Sequence, residues 1–113
     1  MILANDSINS EPVIKKIKQI IIREVDPDKI ILFGSRAKNM NHSNSDYDIC
    51  ILKSGIEKEK KNLIKQLYLS LFEVREAIDL ILNTPEKFEI LKSDKYLIFK
   101  SINEDGQILY EKL

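Results

Sequence analysis

Apolar residues recur along this chain in two rhythms, one helical and one extended. Val13, Ile14, Ile17, Ile20 and Ile21 fall at helical spacing with lysines between them, which predicts a helix with one buried stripe. Ser10 can cap that helix, with Glu11 and Pro12 in its first turn. Asp26-Pro27-Asp28 stops it, because the residue before a proline disfavours the helical region. Lys29 to Phe33 is then a short isoleucine-rich run that reads as a strand, followed by a Gly34-Ser35 turn. A brief helix is expected over residues 36–40, and Asn41 to Ser45 is polar loop.

Three more strands are expected, over Tyr47 to Lys53, Ala77 to Leu82 and Gln107 to Tyr110. Between them, residues 57–72 form a predicted helix with Leu63, Ile64, Leu67 and Leu71 on one face and lysines on the other. Thr84-Pro85-Glu86 opens another helix, since Thr caps and Pro suits the first helical position. Ser93 or Asp94 would cap the next, which runs to about Ile102, with a turn at Asn103-Glu104-Asp105-Gly106. The order α, β, (α), β, α, β, α, α, β implies an α+β fold, a small mixed β-sheet packed with helices.

Composition narrows the class. A chain of 113 residues fits one domain, expected over residues 10–113 behind a flexible, polar N-terminus of residues 1–9. Lys and Arg number 18 and Asp and Glu 18, so the formal net charge is zero. A protein that holds nucleic acid through its overall field is therefore not expected, nor is nucleic acid as a partner. The single Cys allows no internal disulfide and suits a reducing compartment. The start, MILANDSINSEP, lacks the basic and apolar regions of a signal peptide, and no apolar run approaches the roughly 20 residues that span a bilayer. A cytoplasmic protein without a membrane association is the expectation.

The candidate chemistry lies in FGSRAKNMNHSNSDYDICIL, Phe33 to Leu52. Side chains alternate along a strand, so Asp46 and Asp48 point the same way. Two close carboxylates repel, and one of them tends to raise its pKa. Alone, the pair is a weak signal, because strand ends often carry a solvated or capping Asp. Asp79 strengthens it. It sits inside Ala77-Ile78-Asp79-Leu80-Ile81-Leu82, whose neighbours all look buried, and an ionised carboxylate there is costly unless paired or bound to a cation. A buried ion pair, or a strand end that reaches water, would explain Asp79 equally well. If the third strand lies beside the second, the three carboxylates form one cluster of hard oxygen ligands suited to Mg²⁺.

Gly34-Ser35 would complete such a site. Gly lets a backbone approach a ligand closely, and the free N–H groups and the Ser35 hydroxyl could meet an anion. As a lone pair of residues they are more simply a turn and its cap. Arg36 and Lys38 could meet phosphate charge, although a solvated basic turn accounts for Lys38. His42, the only His, sits in a polar loop and suits solvent better than a metal. Cys50 shares the face of Asp48 and reads as core or the back of the site rather than a nucleophile. The basic face of residues 57–66 reads as solvated, though it and Tyr47 could meet a partner.

Together these residues resemble the nucleotidyltransferase superfamily of DNA polymerase β and kanamycin nucleotidyltransferase, whose signature is an apolar strand, Gly-Ser, about ten residues, Asp-x-Asp and a third Asp on a later strand. Here the signature reads Gly34-Ser35, ten intervening residues, Asp46-Tyr47-Asp48 and then Asp79. Within it the chain is similar to the minimal nucleotidyltransferases, antitoxins paired with HEPN-domain toxins. Gly34-Ser35-Arg36-Ala37-Lys38-Asn39, Ser45-Asp46-Tyr47-Asp48-Ile49 and the ending Glu104 to Glu111 all resemble that family. Asn39 stands where the family commonly has Gly, and Asn is the non-Gly residue that best tolerates the left-handed region.

The resemblance implies a polymerase β-like nucleotidyltransferase fold and a metal-dependent protein adenylyltransferase. It implies ATP as substrate, attack at the α-phosphorus, and two Mg²⁺ ions as cofactor. Asp46, Asp48 and Asp79 would be catalytic and hold the metal, with Asp79 also orienting or deprotonating the acceptor. Gly34, Ser35 and Arg36 would bind the nucleotide phosphates. The larger antibiotic-modifying relatives add a helical acceptor domain for which this chain has no room. The implied acceptor is thus a tyrosine of a HEPN-domain toxin, and a homo-oligomer is left open. Two rivals stand beside this expectation: a catalytically silent nucleotide- or partner-binding module, and a small-molecule (antibiotic) adenylyltransferase.

Overall fold

The structure, a computed structural model, describes residues 1–113. Helix α2 (Pro12–Val25) buries Ile14, Ile17, Ile20, Ile21 and Val25, the stripe expected from the spacing. Its cap is Glu11 rather than Ser10. The Glu11 carboxylate accepts the N–H groups of Val13 and Ile14 at 3.1 and 3.2 Å, placing negative charge at the positive end of the helix dipole. Ser10 instead ends a one-turn helix, α1 (Asp6–Asn9). At the far end, Asp26 takes a left-handed conformation, φ 47°, and returns its N–H to the Ile22 carbonyl.

Five strands make one mixed sheet in the order β1-β5-β2-β3-β4. They are β1 (Ile2–Leu3), β2 (Lys29–Phe33), β3 (Tyr47–Leu52), β4 (Ile78–Asn83) and β5 (Gln107–Glu111). β2 pairs antiparallel with both β3 and β5, while β3–β4 and β1–β5 are parallel. The first nine residues, expected to fray, thus carry β1 and α1, and the Met1 ammonium donates to the Asn103 carbonyl at 2.7 Å.

Residues 36–40 form a hydrogen-bonded turn, not a helix. Asn39 at φ 57° ends the coil after one turn, and the Met40 N–H reaches back to the Ser35 carbonyl. Helix α3 (Lys60–Leu71) begins later than expected and runs into a 3₁₀ turn, Phe72–Val74, closed by left-handed Arg75. Thr84 caps α4 (Pro85–Leu91) as read from sequence. The last helix, α5 (Ile98–Asp105), also starts later than expected, because Asp94 spends its side chain on the Tyr96 N–H in a turn.

Alternation along the central strands splits the core. Ile30, Leu32, Ile49 and Ile51 pack with α2 and with Leu67 and Leu71 of α3. Ile31, Phe33, Cys50 and Leu52 pack on the other face with Phe88 of α4 and Ile102 of α5. β2 and β3 are buried almost throughout, whereas β4 is an edge strand, with only Leu82 fully buried. No helix is long and apolar enough to cross a membrane.

Ile17 is fully buried and Ile90 is 75% exposed. Urea unfolding of Ile17→Ala is expected to show a loss of about 2–5 kcal/mol from the cavity it leaves. Ile90→Ala is expected to stay within about 0.5 kcal/mol of the parent.

Candidate active site

The sheet register brings the sequence-predicted carboxylates to one end of one face. Asp48 lies opposite Phe33 on β2 and opposite Asp79 on β4. Asp46 precedes β3 by one residue and is exposed. Asp79 is also exposed, because its strand is at the sheet edge; the buried surroundings expected for it are not found. None of the three is ion-paired to a lysine or arginine.

Their mutual charge is felt at Asp48. Partial burial pushes its carboxyl above the usual carboxylate range, and the charges of Asp79 and then Asp46 push it the same way. Gly34 is the other constraint on it. Its φ is +74°, and a Cβ built there would meet Asp48 Oδ2 at 2.1 Å. Glycine is needed twice at this position, for the left-handed turn and for the space the carboxylate occupies.

The turn from Ser35 to Met40 is held from several sides. Gln107 Nε2 donates to the Ala37 carbonyl at 2.6 Å, Ala37 is buried, and Lys38 pairs with Asp105 of α5 at 3.6 Å. The Ser35 hydroxyl and the N–H groups of Ser35 and Arg36 find no acceptor within the chain, so they remain available to an anion. Arg36 differs. Its Nε and Nη2 both donate to the Ser45 carbonyl, at 3.1 and 2.8 Å. Its guanidinium also lies 3.9 Å from the centre of the Tyr47 ring. Tyr47 in turn donates its hydroxyl to Glu11 Oε2 at 3.4 Å. Burial first, and then Glu11, push the Tyr47 phenol above its ordinary range, so it stays a donor.

Sequence reading placed the carboxylates and the Gly-Ser turn but passed over Gln107, Ser45 and Glu11 as supports. Their partners lie 70, 9 and 36 residues away, and no local pattern signals such contacts. Cys50 is fully enclosed behind Asp48, where burial pushes its thiol up to about 12. It is core, not a nucleophile.

The donor set suits a hard divalent cation. Asp48 and Asp79 are neighbours across the ladder, Asp46 lies close enough for its charge to reach Asp48, and no protein cation neutralises them. Their side chains do not close into a finished three-ligand cluster, so a cation held there would take further oxygens from water or a nucleotide.

Because the Asp48 pKa is raised on folding, the protonated form favours the fold. That contribution is complete below the ordinary carboxylate pKa and is lost as pH rises through the folded value. Asp48→Asn is therefore expected to stabilise the fold at pH 7, by less than about 1 kcal/mol after solvent screening, and so to raise the melting temperature. The gain should vanish near pH 3, and thermal melts at both pH values check it. Gly34→Ala is expected to cost about 1–3 kcal/mol from strain at positive φ, which urea titration reads.

The profile of the family described as "Polymerase beta, Nucleotidyltransferase" matches residues 15–113. No curated protein gives a significant match. Three solved structures are similar in fold. A toxin–antitoxin crystal structure with AMP-PNP is 23% identical at TM-score 0.59, covering 87% of this chain and 73% of that one. A candidate nucleotidyltransferase from Sulfolobus solfataricus is 16% identical at TM-score 0.60, covering 89% and 79%. A mutant of the toxin–antitoxin MntA-HpeT is 21% identical at TM-score 0.58, covering 87% and 73%. With the family profile spanning all but β1, α1 and the first residues of α2, the mixed sheet, the Gly34 turn and the paired aspartates find their common source: the chain belongs to the polymerase β nucleotidyltransferase family.

Proposed function

We propose that this chain transfers AMP from ATP to a hydroxyl, and that the acceptor is a tyrosine on a partner HEPN-domain toxin, making the chain an antitoxin of the cytoplasm. The observation that carries the reading is the lateral pairing of Asp48 with Asp79 across the β3–β4 ladder, with Gly34 packed against Asp48. The likeness in fold to toxin–antitoxin proteins, one of them with AMP-PNP, supports it.

In this reading Asp46, Asp48 and Asp79 hold Mg²⁺, two ions in the full site. Bound there, such ions stabilise charge on the attacking and leaving oxygens of a phosphoryl displacement. The chain's own residues do the rest. The free N–H groups and hydroxyl of the Gly34-Ser35 turn receive the β and γ phosphates. Asp79, exposed on the edge strand, orients the acceptor hydroxyl and takes its proton. The acceptor oxygen bonds to the α-phosphorus and pyrophosphate leaves. An edge position leaves room for another chain to approach Asp79 directly.

A second reading, a nucleotide- or partner-binding module without turnover, draws on the apolar surface of α3 and the turn after it. Leu69 and Phe72 there are 79% and 80% exposed, as expected of a docking face.

The test is incubation with Mg²⁺, labelled ATP and the toxin encoded beside it. Label on the toxin, with stoichiometric pyrophosphate, is expected, and a Tyr→Phe acceptor variant should take none. Asp48→Asn should lower the rate by about 10²- to 10³-fold, the scale of losing one electrostatic contribution to transition-state stabilisation. Nucleotide binding by calorimetry without any pyrophosphate release, toxin present, would establish the silent module instead. Mg²⁺ with ATP should also raise the melting temperature of the parent and leave Asp48→Asn nearly unmoved.

A further inference from the structure

We infer that Arg36 is a positioning residue: it braces the loop that delivers Asp46 and Asp48, and does not reach the nucleotide phosphates. Family resemblance alone assigns it to the phosphates, and the contacts it makes argue otherwise. Both Nε and Nη2 are spent on one acceptor, the carbonyl of Ser45, at 3.1 and 2.8 Å. That carbonyl belongs to the peptide immediately before Asp46. The guanidinium carbon lies over the Tyr47 ring, 3.9 Å from its centre, so its position is held by a cation–π contact as well as by hydrogen bonds.

The brace continues past Arg36. Tyr47 sits between Asp46 and Asp48, is 5% exposed, and returns its hydroxyl to Glu11, the cap of α2. Its own N–H bonds to the Ala77 carbonyl, just before β4. One path thus ties the start of α2 to Tyr47, Arg36 and the Ser45 carbonyl, and the same residue is tied to the strand that carries Asp79. Strand alternation puts Tyr47 on the face opposite Asp48, so Arg36 supports the carboxylates from behind the sheet.

The need for such a brace follows from what surrounds the loop. Residues 38–44 are exposed. Their local ties are few: Lys38 N–H to the Gly34 and Ser35 carbonyls, Met40 N–H to the Ser35 carbonyl, Ser45 N–H to the His42 carbonyl, and His42 N–H to the Ser45 hydroxyl. Beneath the turn lies a cavity of about 190 Å³, lined in part by Arg36, Tyr47, Glu11, Asn39 and Asn41. Arg36 forms part of the wall of that opening, so removing the guanidinium would widen it and leave the loop with less support. Carboxylates that must be held against mutual repulsion are sensitive to such slack, since a misplacement of about 1 Å can cost roughly 100-fold in rate.

The test joins hydrogen exchange to kinetics on the full chain. In the nucleotide-free protein, Arg36→Ala is expected to lose amide protection at Met40, His42 and Ser45 while β2 keeps its own. Arg36→Lys should lose it too, because an ammonium cannot fork onto the Ser45 carbonyl while lying flat on Tyr47. Unchanged protection in both variants overturns the inference. The kinetic arm rests on the transferase reading. There kcat should fall roughly 10- to 100-fold with KM for ATP within about twofold, and Arg36→Lys should not restore it. A rise in KM for ATP of about tenfold or more, the scale of one lost charged contact, with recovery by Arg36→Lys, would return Arg36 to the phosphates. If the parent shows no transfer with any acceptor, the transferase reading fails, and the exchange result still decides the brace.

Discussion

Charge left without a counterion organises this molecule. Asp48 is half-buried at the end of a central strand, beside one aspartate across the ladder and near another two residues back, and no lysine or arginine of the chain reaches any of them. A fold selected only for stability would neutralise such a group or move it to solvent. Here the two basic residues of the Ser35–Met40 turn are directed elsewhere, Arg36 to a carbonyl and Lys38 to Asp105. The result is a local cost in stability, a common trade at functional sites.

The rest of the fold exists around that cost. The antiparallel pairing of β2 with β3 puts Phe33 across from Asp48, so the residue after β2 must turn within contact of the carboxylate. Only glycine fits, with its left-handed φ and no Cβ to collide with Oδ2. The parallel pairing of β3 with β4 then needs a long crossover, which α3 supplies, and that crossover sets Asp79 level with Asp48. Both constraints are backbone constraints. Side chains around them can vary without moving either contact, and solved structures only 16–23% identical share the fold.

How much of this was legible in the sequence depends on the range of the interaction. The α2 stripe, the four longer strands and the Thr84 cap rest on local periodicity and turn chemistry, and the structure has them within a few residues. The same-face placement of Asp46 and Asp48 follows from alternation alone. Asp79 was placed in the right strand but in the wrong surroundings, since an apolar run does not say whether its strand is central or at an edge. Helix starts were misjudged where two residues could cap: Glu11 outcompeted Ser10 because its two oxygens serve two N–H groups. The N-terminal strand was illegible for another reason. Two residues carry no periodicity, and β1 exists only because β5 offers an edge.

Arg36 shows the limit of transferring roles by motif. A guanidinium one residue past a Gly-Ser turn looks placed for phosphate, and chemistry allows it. The brace inferred above reads it differently, because Nε and Nη2 are directed onto one carbonyl and the guanidinium is held over one ring, away from the free N–H groups of the Gly-Ser turn. The anion donors left over are backbone N–H groups and the Ser35 hydroxyl, which carry no net charge. Under the proposed transferase reading, such a site would take its attraction for a nucleotide from cations held by the aspartates rather than from protein charge, so nucleotide affinity and metal occupancy would become one coupled quantity.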